Sequence, residues 1–215
     1  MFADIRLDVL ERIQATRSFL RANCRLRTRQ FVLEAKGLAF VQMYAIWEET
    51  VRSIVKAALL QVKAMARPMD KIRLELLSLL LEDQIKAVVA THETKNQWDR
   101  RIKLFLQISS SGTATISEGI FPSDGSQFRA VQIETIWSIF GITCPALPHA
   151  KHKLQINELV ENRNAIAHGR EPPAEVGRRY SVREISKRIS ATKRVCLHVI
   201  SSMENHCSTH TNLCR

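Results

Sequence analysis

The sequence predicts an all-α chain, on three observations. Its 215 residues hold only seven glycines and six prolines, against much Leu, Ile, Ala, Lys, Arg and Glu. Apolar residues recur at helical rather than alternating spacing along most of the length. All six prolines fall at the boundaries that this spacing suggests.

A first amphipathic helix over about residues 3–22 puts Ile5, Val9, Ile13 and Leu20 near one side. Arg21, Arg25, Arg27 and Arg29 then crowd a short span, read as a solvated junction rather than a phosphate-tracking patch. From about Phe31 to Ala66 a long helix carries Phe40, Tyr44, Trp47, Val51, Ile54, Val55, Ala58 and Val62 on one core-facing stripe. Gly37 suits a close approach between helices, and Pro68 marks the break that follows.

A third helix over about 69–91 is apolar around much of its circumference and is expected to be central. The next, over about 95–108, is expected to turn Trp98, Ile102, Phe105 and Leu106 inward. SSSGTATISEGIFPSDGS, about 109–126, reads as a long loop, an uncommon feature inside a compact domain. Ser126 suits the cap of a fifth helix over about 127–140, which ends at Gly141. A last helix, from about Ser181 to Asn205, directs Ile185, Ile189, Cys196, Ile200 and Met203 inward, with Arg183, Lys187 and Arg194 opposite. The chain reads as one domain over 1–215, with 1–30 an N-terminal helix or arm and 207–215 a flexible tail.

The formal charge of +11 favours an acidic partner, nucleic acid first and an acidic membrane surface second. No apolar run approaches the roughly 20 residues that span a bilayer. The N-terminus mixes acids with its apolar residues and does not read as a secretory signal. Five cysteines without a framework spacing read as reduced thiols in a cytoplasmic protein.

One stretch concentrates chemistry. Leu154–Gly169 carries apolar residues at Ile156, Leu159, Val160, Ile166 and Ala167, and stops at Gly169 ahead of Pro172 and Pro173. Arg163 projects from the middle of that apolar stripe, a costly place for a guanidinium without an anion or a partner surface. Asn157, Glu161, Asn164 and His168 form a neighbouring polar column. Arg163 offers a planar donor fork for phosphate oxygens. His168 lies in the last turn, where the helix dipole favours its protonated form and acid–base work near neutral pH. The two residues stand about 140° apart on the helix wheel, so one helix does not aim both at one atom. Two copies across a two-fold axis would. On spacing alone a buried structural Arg and a capping His remain the simpler reading.

ELVENRNAIAHG resembles the signature of the HEPN superfamily, an Arg, four to six residues with Asn commonly first, then His. The upstream LAFVQMYAIWEETV is also similar to the helix that precedes this motif in HEPN-like nucleases of bacterial toxin and defence systems. The order of elements over roughly Phe31–His206 agrees. The resemblance implies an up-and-down bundle of about five to six helices that pairs as a homodimer through the motif helix and cuts RNA without a metal. It further implies that His168 acts on the ribose 2′-hydroxyl or the leaving 5′-oxygen and that Arg163 binds the scissile phosphate. Asn164 would orient the imidazole or hold a phosphate oxygen, and the product would be a 2′,3′-cyclic phosphate. One departure stands out. Members silenced by a nucleotidyltransferase antitoxin carry a Tyr inside the motif, where this chain has Ala165, Ile166 and Ala167, although Tyr180 lies downstream.

Weaker features are set aside. His206, Cys207, His210 and Cys214 lack a second paired knuckle for zinc and read as an unstructured terminus. His149 and His152 read as solvated loop histidines, and Glu48 and Glu49 diverge on their helix. No phosphate-cradling glycine loop, nucleophile elbow or metalloprotease pair is present. The expectation is therefore a cofactor-free endoribonuclease for single-stranded or looped RNA, a homodimer in stress or defence, with an antitoxin or defence protein as further partner. Arg170, Arg178, Arg179, Arg183 and Lys187 would hold the RNA backbone. The rival expectations are a non-catalytic HEPN module that binds RNA or a protein, and a purely structural bundle.

Overall fold

A computed structural model describes residues 1–25, 28–90, 94–113, 128–209 and 213–214. Among these residues it is all-α, as the composition and spacing predict. The order is α1 (Phe2–Cys24), α2 (Arg29–Ala64), a 3-10 turn (Met69–Lys71), α3 (Leu74–Leu80), α4 (Glu82–Val89) and α5 (Thr94–Ile108). Then follow α6 (Ala130–Phe140), α7 (Lys151–Ala167), α8 (Pro173–Arg178) and α9 (Val182–Ser208). No helix among the described residues is long and apolar enough to cross a membrane.

The axis of the molecule is α2. Its 36 residues span roughly 54 Å, and the stripe from Phe40 to Val62 is buried throughout. Around it pack α1, α7, α8 and α9. Arg6 reaches Glu204 at 2.7 Å and Arg17 reaches Ser190 at 3.2 Å, so α1 and α9 run antiparallel. Ser181 and Glu184 form a reciprocal capping box that starts α9.

The close approach at Gly37 is real and has a counterpart. A Cβ on Gly37 would lie 2.0 Å from the carbonyl oxygen of Pro173, and one on Gly177 would lie 1.9 Å from that of Leu33. Helices α2 and α8 therefore touch backbone to backbone through two glycines. Pro172 and Pro173 end the motif segment as expected, but Pro173 also opens α8, because its fixed φ suits a first helical turn. That short helix is absent from the sequence reading.

Three expectations need correction. The helix over 69–91 is broken into the 3-10 turn, α3 and α4, with Leu81 at φ −102 and ψ 15 between the last two. Only α3 is central, burying Leu76, Leu77, Leu79 and Leu80, whereas α4 buries no residue. The apolar residues of α5 do not face inward: Trp98, Ile102, Phe105 and Leu106 are 54–68 % exposed. Instead Leu104 and Ile108, on another side of that helix, lie against the core. Finally, the tail is tied down where it is described. Cys207 and Leu213 are buried, and Cys214 pairs with Ile72 in an isolated bridge. Ser126 and most of the Ser/Gly-rich loop lie outside the described residues.

All five cysteines are free. Burial pushes the thiols of Cys196 and Cys207 up to about 12, which leaves them protonated and inert.

Candidate active site

The motif helix, α7, packs against α2, α6, α8 and α9, and its sides have distinct tasks. Its apolar side, Ile156, Leu159 and Val160, is buried in the core beside α2. Toward α6 it presents the polar column. Asn157 Oδ1 accepts from the Ala130 amide at 3.2 Å, at the otherwise uncapped start of α6. Glu161 bonds Arg129, and Lys153 reaches Glu134 at 3.0 Å. Two members of the column thus fasten α6, and Arg129 holds the Glu161 carboxyl below its ordinary range.

Arg163 sits where the wheel places it, on the side facing α2, and is half-buried. Its guanidinium carbon lies 4.6 Å from the centre of the Tyr44 ring, and Nη1 donates to Asn164 Oδ1 at 3.2 Å. The cost of a cation on an apolar stripe is offset inside this chain by the face of a buried tyrosine. Stacking and the Asn164 bond fix the plane of the donor fork. Tyr44 is 2 % exposed. Burial first, then the nearby Glu48 carboxylate, pushes its phenol up; the Phe128 amide and Arg163 oppose them. Trp47 donates its indole N–H to the Phe128 carbonyl at 2.6 Å, and Arg52 lies 5.0 Å over the Phe128 ring. The chain entering α6 is thereby pinned next to Tyr44.

Helix α7 ends at the histidine. The His168 amide donates to the Asn164 carbonyl at 3.0 Å, and Gly169 follows at φ +67, the left-handed position that favours glycine. His168 is exposed, whereas Asn164 is buried. The motif therefore combines, within five residues, a half-buried stacked Arg163, a buried Asn164 and a solvent-facing His168.

Of the five cations expected to hold RNA, all are exposed. Arg178 pairs with Glu175 at 3.0 Å, and Arg179 pairs with Glu171. Arg170, Arg183 and Lys187 have no ion pair among the described residues.

The sequence reading missed a second polar group on the α9 side of α7. Glu158 is held by Arg188 through Nε at 2.9 Å and Nη2 at 2.7 Å, a two-pronged pair. The Tyr180 hydroxyl donates to Glu158 at 3.0 Å and accepts from Asn162 at 3.0 Å. Arg188 lies 4.4 Å over the Tyr180 ring, and Lys36, itself buried, donates to the Tyr180 carbonyl at 2.5 Å. Burial is the main cause that raises the Tyr180 phenol and lowers the Lys36 ammonium. Glu158 and Asn162 lie one turn apart, which is the only trace this network leaves in the sequence.

Among the described residues, no group of three or more His, Cys, Asp or Glu is arranged to hold a metal ion. His206 and Cys207 belong to α9, while His210 lies outside the described residues. His152 is fully buried rather than solvated, whereas His149 is exposed.

A family model described as RiboL-PSP-HEPN matches residues 8–205 of the chain. No curated protein and no solved structure matches it.

Proposed function

Since the chain belongs to the RiboL-PSP-HEPN family, and so to the HEPN superfamily, we propose that it is a metal-independent endoribonuclease with its site at the C-terminal end of α7. The observation that carries this reading is the motif's arrangement: Arg163 oriented by Tyr44 and Asn164, followed five residues later by an exposed imidazole. The oriented guanidinium binds the scissile phosphate and the charge that grows on it. His168, as base, takes the proton of the ribose 2′-hydroxyl while the oxygen attacks phosphorus. The bond to the 5′-oxygen breaks, the leaving oxygen takes a proton from the partner imidazole, and a 2′,3′-cyclic phosphate remains. DNA, without the 2′-hydroxyl, is not cut.

Because Arg163 and His168 diverge on one helix, the site is completed by a second copy, and the substrate is single-stranded or looped RNA. Arg170, Arg183 and Lys187 guide its backbone, and Arg178 and Arg179 do so on exchanging their carboxylate partners for phosphate. The role we assign is that of a toxin or defence nuclease. Its control would not pass through the motif tyrosine, which is missing, and the Tyr180 hydroxyl is engaged by Glu158 and Asn162.

A second reading, a non-catalytic HEPN module that binds RNA or a protein, is favoured by one observation: Arg163 has partners within its own chain. Incubating the purified protein with labelled single-stranded RNA in excess EDTA separates the two. Cyclic-phosphate products that disappear in His168→Ala support the nuclease. Cleavage that persists in His168→Ala overturns the mechanism, and RNA bound but uncut establishes the binding module.

A further inference from the structure

Where α1 ends and α2 and α9 begin, the fold gathers cations from three helices. Arg17 of α1 donates to Ser190 of α9 at 3.2 Å, which sets the antiparallel register of that pair. About two turns further along α1 comes Arg25, with Arg21 between. About two turns back along α9, close to the line of Ser190, comes Arg183, with Lys187 between. Arg21 and Arg25 therefore run beside Arg183 and Lys187. Arg29 opens α2 at the same end. It stands two turns before Lys36 on one side of α2, and Lys36 donates to the Tyr180 carbonyl at 2.5 Å, just ahead of α9. After burial, the groups that act on Lys36 are Cys24, Arg29 and Glu184, one from each of the three helix ends.

Arg21, Arg25, Arg29, Arg183 and Lys187 are all exposed, and none has an ion pair or a side-chain hydrogen bond among the described residues. Acids of the same helix ends are already engaged. Glu184 accepts from the Ser181 amide at 2.7 Å and its hydroxyl at 2.8 Å, and Glu34 accepts from Gln30 at 2.9 Å. Like charges gathered without counter-charges repel one another, so the group is complete only with an anion. Spacing alone leaves the arginines of the α1–α2 junction solvated; the fold adds two cations from α9 and joins the group to the motif. Arg170 follows the motif histidine, Arg179 is held to Glu171, and α8 lies on the start of α2 through Gly37 and Gly177. A row of separate guanidiniums running on from a phosphate-binding motif suits a phosphodiester backbone. We propose that the α1–α2 junction and the start of α9 form a second phosphate track, which holds single-stranded RNA beyond the cut. The proposal rests on the reading that the motif end of α7 meets RNA, and not on whether that RNA is cut.

The test uses the full chain carrying His168→Ala, so that bound RNA stays intact, and labelled oligouridine of about 20 nucleotides. Arg21→Gln, Arg25→Gln and Arg29→Gln together are expected to weaken binding at least tenfold by fluorescence anisotropy. The slope of log affinity against log salt should flatten by about two, at roughly 0.7 for each phosphate contact on a single strand. Arg183→Gln with Lys187→Gln, from the facing helix, should weaken binding in the same way. Lys56→Gln, Arg67→Gln and Lys71→Gln remove as much charge toward the far end of α2, on the order of 40 Å from Arg29, and should leave affinity within about threefold. The junction side chains are exposed and unpaired, so urea midpoints stay at the parent level. With His168 restored, the junction variant should raise KM and keep kcat. Unchanged affinity and salt slope in the junction variant, or an equal loss in the far-end variant, overturns the proposal. So does a junction variant that keeps RNA and instead loses anionic vesicles or a polyglutamate peptide. A wild-type chain that cuts nothing, while the junction variant still loses RNA, would sink the nuclease reading and leave the track standing.

Discussion

Arg163 of the motif helix and Tyr44 of α2 form a stacked pair, guanidinium carbon to ring centre 4.6 Å. Such a pair contributes on the order of 0.5–2 kcal/mol and holds the donor fork in one plane. Tyr44→Phe retains the ring and is expected to leave RNA cleavage within about threefold of wild type. Tyr44→Leu loses the face and is expected to lower kcat/KM at least tenfold, about 1.4 kcal/mol of transition-state binding. Rates measured beside urea melts separate lost orientation from lost stability. A Tyr44→Leu protein that folds and cleaves normally would show that stacking does not position Arg163.

His168 is exposed and closes α7 only through its backbone. Its side chain is therefore expected to matter for chemistry and little for folding. His168→Ala should leave the unfolding midpoint within about 0.5 kcal/mol of wild type while removing cleavage by about 100-fold or more. Arg163→Ala should differ, losing both cleavage and some stability, since the guanidinium packs on a buried ring. The contrast between the two variants is read from paired rate and melting measurements.

Much of the fold was legible because the long helices bury one clean stripe, and α2, α7 and α9 announce theirs in spacing alone. The helix α5 was read inside out. It has two apolar sides, Leu104 with Ile108 and Trp98 with Phe105, and periodicity cannot say which one the core takes. The break at Leu81 left no signal either, as an unbroken run of leucines has no punctuation. At the site, the wheel placed Arg163 correctly on the packed side, but its partner lies more than a hundred residues away in sequence, on α2. Likewise the clasp of Glu158, Tyr180 and Arg188 joins three segments, so only the fold could assemble it.

That clasp has a measurable coupling. Arg188 and Glu158 retain 23 % and 32 % side-chain exposure, so solvent screens part of their two-pronged attraction. A double-mutant cycle of Glu158→Gln and Arg188→Gln is expected to give a coupling of about 1 kcal/mol, above ordinary surface pairs and below buried ones. Additive effects would mean that each group is held by its other partners instead.

The two glycines between α2 and α8 set the tightest steric limit in the fold. At Gly37 an added Cβ would meet the Pro173 carbonyl, and at Gly177 the Leu33 carbonyl, both backbone atoms that no rotamer change can move. Gly37→Ala and Gly177→Ala must push α8 away from α2, and each is expected to cost at least about 2 kcal/mol. Helix propensity alone would predict the reverse, a gain from replacing a helical glycine. Urea denaturation decides between them.

His152 gives the protein an acid sensitivity. It is fully buried, and neither ring nitrogen has a hydrogen-bond partner among the described residues. Burial is the first cause that lowers its pKa, followed by the charges of Arg194, His149, Lys151 and His198. A histidine with a lowered folded pKa binds protons more readily in the unfolded chain. Its contribution to stability is therefore fully present above about pH 6.5 and is lost as the pH falls below that value. His206, also lowered chiefly by burial, adds to the same slope. Unfolding free energies compared near pH 7.5 and near pH 5 should fall with acid, and His152→Leu should flatten part of that fall. The same substitution removes two unpaired buried polar atoms, so it should also raise stability at neutral pH by about 1 kcal/mol. An undiminished slope in His152→Leu would assign the acid sensitivity to other groups, among them His206 and the carboxylates of Glu161 and Glu184, which their partners hold below their ordinary range.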